Sequence, residues 1–516
     1  MSDPTSLVAL AEQRAAELGG KPLYRFVDSG EQWTFAELPD RAARVARQLV
    51  DAGAQHDDRV AILADDRAAF CDAFFGAQHL GAIPVPLGLS GKPGSDPWNA
   101  LLRDRLARFG VRLVATDAGG LDVLSGSPAP GCTAVAVDGS SGRPLRDAHP
   151  HDVALVQPSS GTTGDPKGIV VSQAALLANL TAISEHWDLG PSDSGLSWLP
   201  LFHDMGLIGT AINAVFTGAT LHQWPTASFL RSPGRWVELL GETGATVAVA
   251  PPFALELATR RWRRSAGGAD LSHVRHVLVG AERIRPEVLE GFAVTFTPYG
   301  LAPDALCPTY GLAEATLAVT AKPRGEQFGT VRTGAHRWTS CGRAVPGVAV
   351  RVDPATGEVL VASPGLMDGY LEDPAATAGV LSDGWLRTGD CGQLIDGELV
   401  VTGRAKEMIN RGGVRLPASD YELAVHGVEG VLPDRAVAFG DLGPDGERIV
   451  VLAESRQRGN GSIVLALRAR LADAGLAADV VELVPPGFIP RTTSGKLRRG
   501  AAREQWRAQE ATAASN

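Results

Sequence analysis

The sequence predicts an α/β protein: a large N-terminal domain of mixed, largely parallel sheets with helices and a small β subdomain, then a smaller α+β domain. Three observations predict it. Helix-period and strand-like runs alternate up to about residue 340, short strand-like runs dominate next, and a mixed pattern returns after Arg404. The length agrees, because 516 residues exceed one compact core and suggest two to four units.

Along the chain, residues 34–51 place Leu38, Ala42, Val45, Ala46 and Leu49 at helical spacing. RVAIL (59–63) is a short buried-strand run, followed by a helix-like segment at 66–80 and the strand AIPVPL. The alternation continues through ATVAVAPP (245–252) and HVRHVLVGAE (273–282), with no linker before about residue 340. VAVRVD, GEVLVAS and GQLIDGELVVTGR (392–404) then read as a β subdomain over about 335–404, with a hairpin turning at Asp396-Gly397. Beyond it come a helix-like stretch near 462–475 and a basic end. The sharpest boundary falls near Lys406, which divides the chain into 1–404 and 405–516.

The net charge of −10 leaves no electrostatic footprint for nucleic acid. Five scattered cysteines (71, 132, 307, 341, 391) show no C-x-x-C spacing, which argues against a disulfide framework and a zinc site. The start is acidic where a signal peptide needs basic residues, and no apolar run approaches the length of a membrane span. A soluble cytoplasmic protein is expected, with no membrane partner, as a monomer or homodimer. Only six of the 48 basic residues are lysine: 21, 92, 167, 322, 406 and 496. A GC-rich genome accounts for the arginine bias. A surviving lysine then marks a position that favours a compact ammonium.

The most informative segment is VALVQPSSGTTGDPKGIVVS (153–172). A strand-like run enters a loop carrying hydroxyls, inner glycines and Lys167, and another apolar run follows. Backbone N–H groups, hydroxyls and an ammonium in that density suit a polyphosphate. Asp165-Pro166 separates Gly164 from Lys167, so this is not a Walker A loop.

SSGTTGDPKG closely resembles the phosphate-binding signature of adenylate-forming (ANL) enzymes, the superfamily of acyl-CoA synthetases, fatty acyl-AMP ligases, peptide-synthetase adenylation domains and luciferases. Further motifs follow in the family's order and, with the first, span residues 34–499. The resemblance implies that Ser160, Gly161, Thr162, Thr163, Gly164 and Lys167 hold the phosphates of ATP, with Thr163 also near the metal. WLPLFHDMG (198–206) resembles the segment between nucleotide and acyl pocket, placing His203 near the substrate carboxylate; its HDMG form is most like fatty acyl-AMP ligases. VGAE (279–282) resembles the adenine-lining stretch, with Gly280, Ala281 and Glu282. TYGLAEAT (309–316) resembles the motif in which Tyr310 stacks on adenine beside Gly311 and Glu314 binds Mg2+.

WLRTGD (385–390) resembles the motif whose aspartate, here Asp390, grips both ribose hydroxyls, two acceptor oxygens matching a vicinal diol; by the same resemblance GRAKEMINRGG (403–413) implies a second ribose or phosphate contact at Arg404 and a hinge at Lys406. PRTTSGKLRR (490–499) resembles the tail whose lysine, here Lys496, enters the site for adenylation. The smaller domain is therefore expected to be mobile, rotating about the hinge between two half-reactions.

The implied reaction activates a small carboxylic acid to an acyl-adenylate and passes the acyl group to a thiol. Fatty acyl-AMP ligases usually carry an insertion ahead of the ribose aspartate, and it is absent from TAGVLSDGWLRTGD. MINRGGVRLP (408–417) is also closer to acyl-CoA synthetases, so CoA is favoured over an acyl carrier protein as acceptor, with Arg411, Gly413 and Arg415 flanking the thiol channel or the phosphates. PPFALELA (251–258), VLVGA and GLAEATL are apolar, which favours a hydrophobic acid. A luciferase-like oxygenase shares the motifs, while a non-catalytic nucleotide-binding protein is disfavoured by the presence of Glu314, Asp390 and Lys496.

Overall fold

The structure is a computed structural model; it describes residues 4–89, 91–126, 131–159, 166–262, 268–333, 336–411, 414–443, 446–491 and 497–514. Its centre is a nine-stranded sheet in the order Arg343–Ala344, Ala318–Ala321, Leu306–Gly311, His276–Val279, Val247–Ala250, Ser194–Ser197, Thr220–Gln223, Pro22–Phe26, Gln32–Thr34. The six strands from Leu306–Gly311 to Pro22–Phe26 are mutually parallel, and the antiparallel members lie at the two edges. Parallel strands buried on both faces read as continuous apolar runs. HVLV, at positions 276–279, is such a run and is buried throughout.

A four-stranded parallel sheet, Ile83–Pro86, Arg59–Ile62, Leu113–Thr116 and Thr133–Ala136, lies beside it. The helix expected over 34–51 forms as Glu37–Asp51 and buries Leu38, Ala42, Ala43, Val45, Ala46 and Leu49. Its partner Arg67–Leu80 is buried along its whole length, and Gly76 has no room for a side chain because a Cβ would come 2.3 Å from Val45.

The segment that carries the phosphate signature is an antiparallel hairpin, Val153–Pro158 against Gly168–Ser172, extended by the short strand Gly369–Tyr370. A Walker loop would open a helix instead. The later β sheet comprises Ala349–Val352, Glu358–Ala362, Trp385–Ile395, Leu381–Ser382 and Glu398–Arg404. Asp396 and Gly397 both have positive φ, 52° and 82°, as a two-residue type I′ turn requires. A second such turn, Asp383-Gly384 at 51° and 76°, joins Leu381–Ser382 to Trp385–Ile395.

After Arg404 the chain builds a three-stranded sheet, Ala436–Gly443, Gly446–Glu454 and Val480–Val484, with a buried cluster on each face. One cluster packs the helix Gly461–Asp473 through Ile463, Leu467 and Leu471, and the other packs Ala502 and Trp506 of the C-terminal helix. No described residue before Ile409 joins either cluster. No helix among the described residues is long and apolar enough to cross a membrane.

Candidate active site

The parallel strands of the central sheet end at one edge in the residues singled out by the motifs. Val247–Ala250 leads into Pro251-Pro252-Phe253, His276–Val279 into Gly280, Ala281 and Glu282, and Leu306–Gly311 ends on Tyr310 and Gly311. Open parallel sheets bind ligands outside these carboxyl ends. The backbone there is tightly specified. A Cβ on Gly280 would lie 2.6 Å from Thr309 Oγ1, and one on Gly311 would lie 1.7 Å from the Leu317 carbonyl oxygen. Ala281 adopts φ 72° and Thr316 φ 65°, conformations costly to residues with a Cβ and most costly to a β-branched one. Thr316 is fully buried and held by donation from its hydroxyl to the Gly365 carbonyl at 2.7 Å. Sequence reading missed Thr316, because a threonine at positive φ leaves no compositional mark.

Asp390 sits in the strand Trp385–Ile395, buried, at the focus of two donors. The Tyr310 hydroxyl donates to Oδ2 at 2.8 Å and Arg404 Nε donates to Oδ1 at 3.0 Å. Arg404 lies directly across the hairpin, since Asp390 pairs with Arg404 in the register between the two strands. Burial, which alone would lower the Arg404 guanidinium, is outweighed by the charges of Asp390, Glu407 and Glu314, so it is held above the ordinary arginine value. Burial and the neighbouring Asp390 charge push the Tyr310 phenol well up. The carboxylate is thus fixed in place by two donors.

Glu314 lies on a short turn, Ala313–Ala315, and accepts from the Tyr370 hydroxyl at 3.1 Å. Burial pushes its carboxyl above the ordinary glutamate value, against the opposing effect of the Tyr370 hydrogen bond and the Arg404 charge. Among the described residues no lysine, arginine or histidine lies within ion-pair distance of it. A hard oxygen ligand short of positive charge is what magnesium bridging phosphates takes, so the residue fits that ion. Lys167 Nζ stands 4.1 Å from the centroid of the Tyr370 ring, and the Lys167 N–H donates to Ser159 Oγ at 2.9 Å across the base of the loop. Tyr370 therefore joins two residues placed by the motifs, and it is a site residue the sequence reading overlooked. Its signal was rarity, as one of only five tyrosines.

His203 precedes the turn Asp204–Gly206 and a π-helical segment, Leu207–Ile212; its ring centroid is 4.8 Å from that of Phe202. π-Helical turns concentrate at functional sites. Trp198, five residues before His203, stacks on Phe229 at 3.7 Å and 5°, with Phe253 set edge-on to Trp198. Glu282 accepts from the Phe253 N–H at 3.2 Å.

Ser160, Gly161, Thr162, Thr163, Gly164, Gly413 and Lys496 lie outside the described residues, as do the side chains of Arg411 and Arg415. The chain on either side of Lys496 is described. Arg491 and Leu497 pair antiparallel, and Arg499 donates to Glu422 at 2.7 and 2.6 Å and to Glu407 at 2.5 Å. The base of the tail is thereby tied to the residue after Lys406, which is itself exposed. Arg491 also lies near enough to Glu282 to feel its charge.

The segments before and after Lys406 meet through Arg283, which donates to Ser419 Oγ at 3.0 Å and to the Asp420 carboxylate, and through His426, 3.0 Å from Asp434 and 3.6 Å from Glu256. Glu256, His426 and Asp434 are close enough to share an ion, but Arg285 already pairs with Glu256.

A largely parallel sheet with one carboxylate held between Tyr310 and Arg404, a second carboxylate that fits a cation and a lysine-bearing hairpin beside it agree with the class of adenylate-forming ligases. The chain belongs to the AMP-binding enzyme family, whose match covers residues 11–371, within the ANL superfamily. It is 34% identical over 529 residues to a protein of Caulobacter vibrioides named as an acyl-CoA synthetase, covering 92% of this chain and 90% of that one. It is 32% identical over 580 residues to the long-chain-fatty-acid–AMP ligase FadD26 of Mycobacterium tuberculosis, covering 97% of each. A structure from work on fatty acyl-adenylate ligases of E. coli and L. pneumophila superposes with a TM-score of 0.87 at 30% identity, covering 99% of both chains.

Proposed function

We propose that the protein uses ATP and magnesium to convert a hydrophobic carboxylic acid of the fatty acid class into its acyl-adenylate and then transfers the acyl group to the thiol of CoA, acting in the cytoplasm. The observation that carries the first step is Asp390 held between Tyr310 and Arg404, with Glu314 near enough for both charges to act on it. A carboxylate is a poor electrophile. Attack of its oxygen on the α-phosphorus forms the carboxyl–phosphate anhydride and expels pyrophosphate, so that AMP becomes the leaving group for the next step. Asp390 and Arg404 would grip the ribose, Tyr310, Gly280, Ala281 and Glu282 would line the adenine, and Lys167 with the loop before it would hold the phosphates. Magnesium, when bound at Glu314 and Thr163, would neutralise the departing charge.

Residues 1–404 and 405–516 act as two domains with a hinge at Lys406. Support comes from the separate buried clusters after that point and from Arg499, three residues after Lys496, which donates to Glu407. Lys496 would enter the site for adenylation and withdraw for thiol attack, when Arg411, Gly413 and Arg415 flank the acceptor channel. The apolar runs PPFALELA, VLVGA and GLAEATL at the ends of the central strands favour an apolar acid.

For CoA as acceptor the support is that TAGVLSDGWLRTGD runs to Asp390 without the insertion fatty acyl-AMP ligases usually carry, through the tight Asp383-Gly384 turn. The alignment with FadD26 spans 580 positions against 516 residues here, so that relative carries segments with no counterpart in this chain. The same relative, and the likeness to fatty acyl-adenylate ligases, favour a second reading in which the acyl group is loaded onto a carrier protein. Mass spectrometry after incubating a carboxylic-acid library with ATP, magnesium and either CoA or carrier protein tests both readings. An acyl-CoA product is expected; adenylate without any acyl-CoA would overturn the choice of acceptor, and no adenylate from any acid would overturn the first step.

A further inference from the structure

We propose that Tyr370 is a positioning residue of this site, a spacer that keeps the Lys167 ammonium and the Glu314 carboxylate from closing on each other, so that both stay open to a magnesium-bound triphosphate. The inference rests on the adenylation reading above. Its starting point is one side chain with opposite charges at its two ends. The ring face lies 4.1 Å from Lys167 Nζ, and the hydroxyl donates to Glu314 Oε1 at 3.1 Å. The negative face of a phenol attracts a cation while its O–H satisfies an anion, two roles that an aliphatic or a phenyl side chain does not combine.

The backbone around Tyr370 bridges the same two elements. Gly369 and Tyr370 pair with Val170 and Ile169 on the strand that leaves the phosphate loop, and the Leu371 N–H donates to Gly168 O at 2.7 Å. On the other side, the Met367 N–H donates to Glu314 O at 2.9 Å and Gly365 O accepts from Thr316. The Tyr370 N–H donates to Thr377 Oγ1 at 2.9 Å, and a Cβ on Gly369 would lie 2.9 Å from the same threonine, so the strand has little freedom to slide. The ring is therefore wedged between Lys167 and Glu314 by the fold, and local flexibility would not remove it.

Without the spacer, the Lys167 ammonium would be free to swing onto the partly buried Glu314 carboxylate as an ion pair, and the incoming nucleotide would have to break it. With the spacer, Lys167 rests on a soft, weakly held platform and is free to move onto a phosphate. Glu314 keeps the Tyr370 hydrogen bond on Oε1 without being tied to the ammonium. Holding the groups before the ligand arrives removes an ordering cost from binding.

The test is calorimetric titration of the whole chain with α,β-methylene-ATP, with magnesium and again with EDTA, alongside ATP–pyrophosphate exchange kinetics. Tyr370→Phe keeps the platform and removes the hydroxyl, so affinity with magnesium and KM for ATP should each worsen by about 3- to 10-fold, with kcat changed less than about twofold and affinity in EDTA unchanged. Tyr370→Leu removes both contacts and should weaken binding with and without magnesium. In a Glu314→Gln background the effect of Tyr370→Phe should disappear. An equal loss in kcat with unchanged nucleotide affinity, or a Tyr370→Phe effect that persists without the Glu314 carboxylate, would overturn the spacer role. Tyr370→Phe carries the result if the leucine variant does not fold. Because the titration needs no acid substrate, a chain that binds the analogue as described but forms no adenylate overturns the functional reading and leaves Tyr370's role standing.

Discussion

Arg283, just past the stretch proposed to line the adenine, donates to the carboxylate of Asp420 on the far side of the proposed hinge, and Asp420 is buried at this contact. Arg283 also stacks over the Trp338 ring at 4.1 Å, so its guanidinium is held on both sides. A buried carboxylate that loses its cation is strongly destabilised in that arrangement, whereas an exposed pair would matter little. Arg283→Ala should therefore loosen the seam: tryptic cleavage near the exposed Lys406 is expected to accelerate several-fold, followed by mass spectrometry of the fragments. An unchanged cleavage rate would show that the contact does not hold the two segments together.

Asp390→Asn retains the shape of the ribose carboxylate and removes its charge. Arg404 then faces a neutral partner and the diol loses a strong acceptor. KM for ATP should rise about 10- to 100-fold. Tyr310→Phe removes one donor to the same carboxylate and should cost less; steady-state kinetics with ATP varied distinguishes the two variants.

Lys496→Ala should reduce acyl-adenylate formation by several orders of magnitude while largely sparing thioester formation from supplied acyl-adenylate. Measuring the two half-reactions separately decides the matter, and equal losses in both would contradict a lysine that acts in only one conformation.

Lys322 is almost fully buried, and its ammonium donates to the carbonyls of Asp304 at 2.9 Å, Pro323 at 3.1 Å and Glu326. Three donors diverging from one nitrogen suit this cage; a planar guanidinium is longer and cannot reproduce it. Lys322→Arg should destabilise the fold by about 1–3 kcal/mol, read from a denaturant titration.

His222 and His276, both buried in the central sheet on strands separated by two others, are pushed down to about 4, far below the ordinary imidazole value of 6.5. Burial is the main cause for both, followed by Arg25 for His222 and Arg275 for His276. The unfolded chain therefore binds more protons than the folded one between these values. This part of the stability is whole above pH 6.5 and is lost as the pH falls towards 4. Thermal unfolding at about pH 5 should show a lower Tm than at about pH 7.5, and His222→Gln should narrow the difference.

Much of the fold was legible from local pattern. The apolar spacing of Leu38 to Leu49 specified a buried helix face, and Asp396-Gly397 specified a turn whose positive φ values the structure shows. The lysine scarcity was informative beyond the motifs: Lys21 and Lys322 both cap backbone carbonyls, a structural use of the ammonium that spacing alone does not reveal. Tyr370 and Thr316 were not legible. Neither lies in a recurring spacing, and each acquires its role from a partner brought near by the fold, Glu314 from 56 positions away and Gly365 from 49.

The sequence by itself determined the alternation of helices and strands, the order of the motifs and the residue types available for nucleotide chemistry, because periodicity, turn residues and functional groups are local properties of the chain. Only the tertiary structure decided which of those groups share a site. Asp390 meets Tyr310 across 80 positions and Arg283 meets Asp420 across 137, contacts set by sheet order and by the packing of separate cores. Whether a side chain is ionised, strained or wedged between opposite charges depends on such distant neighbours.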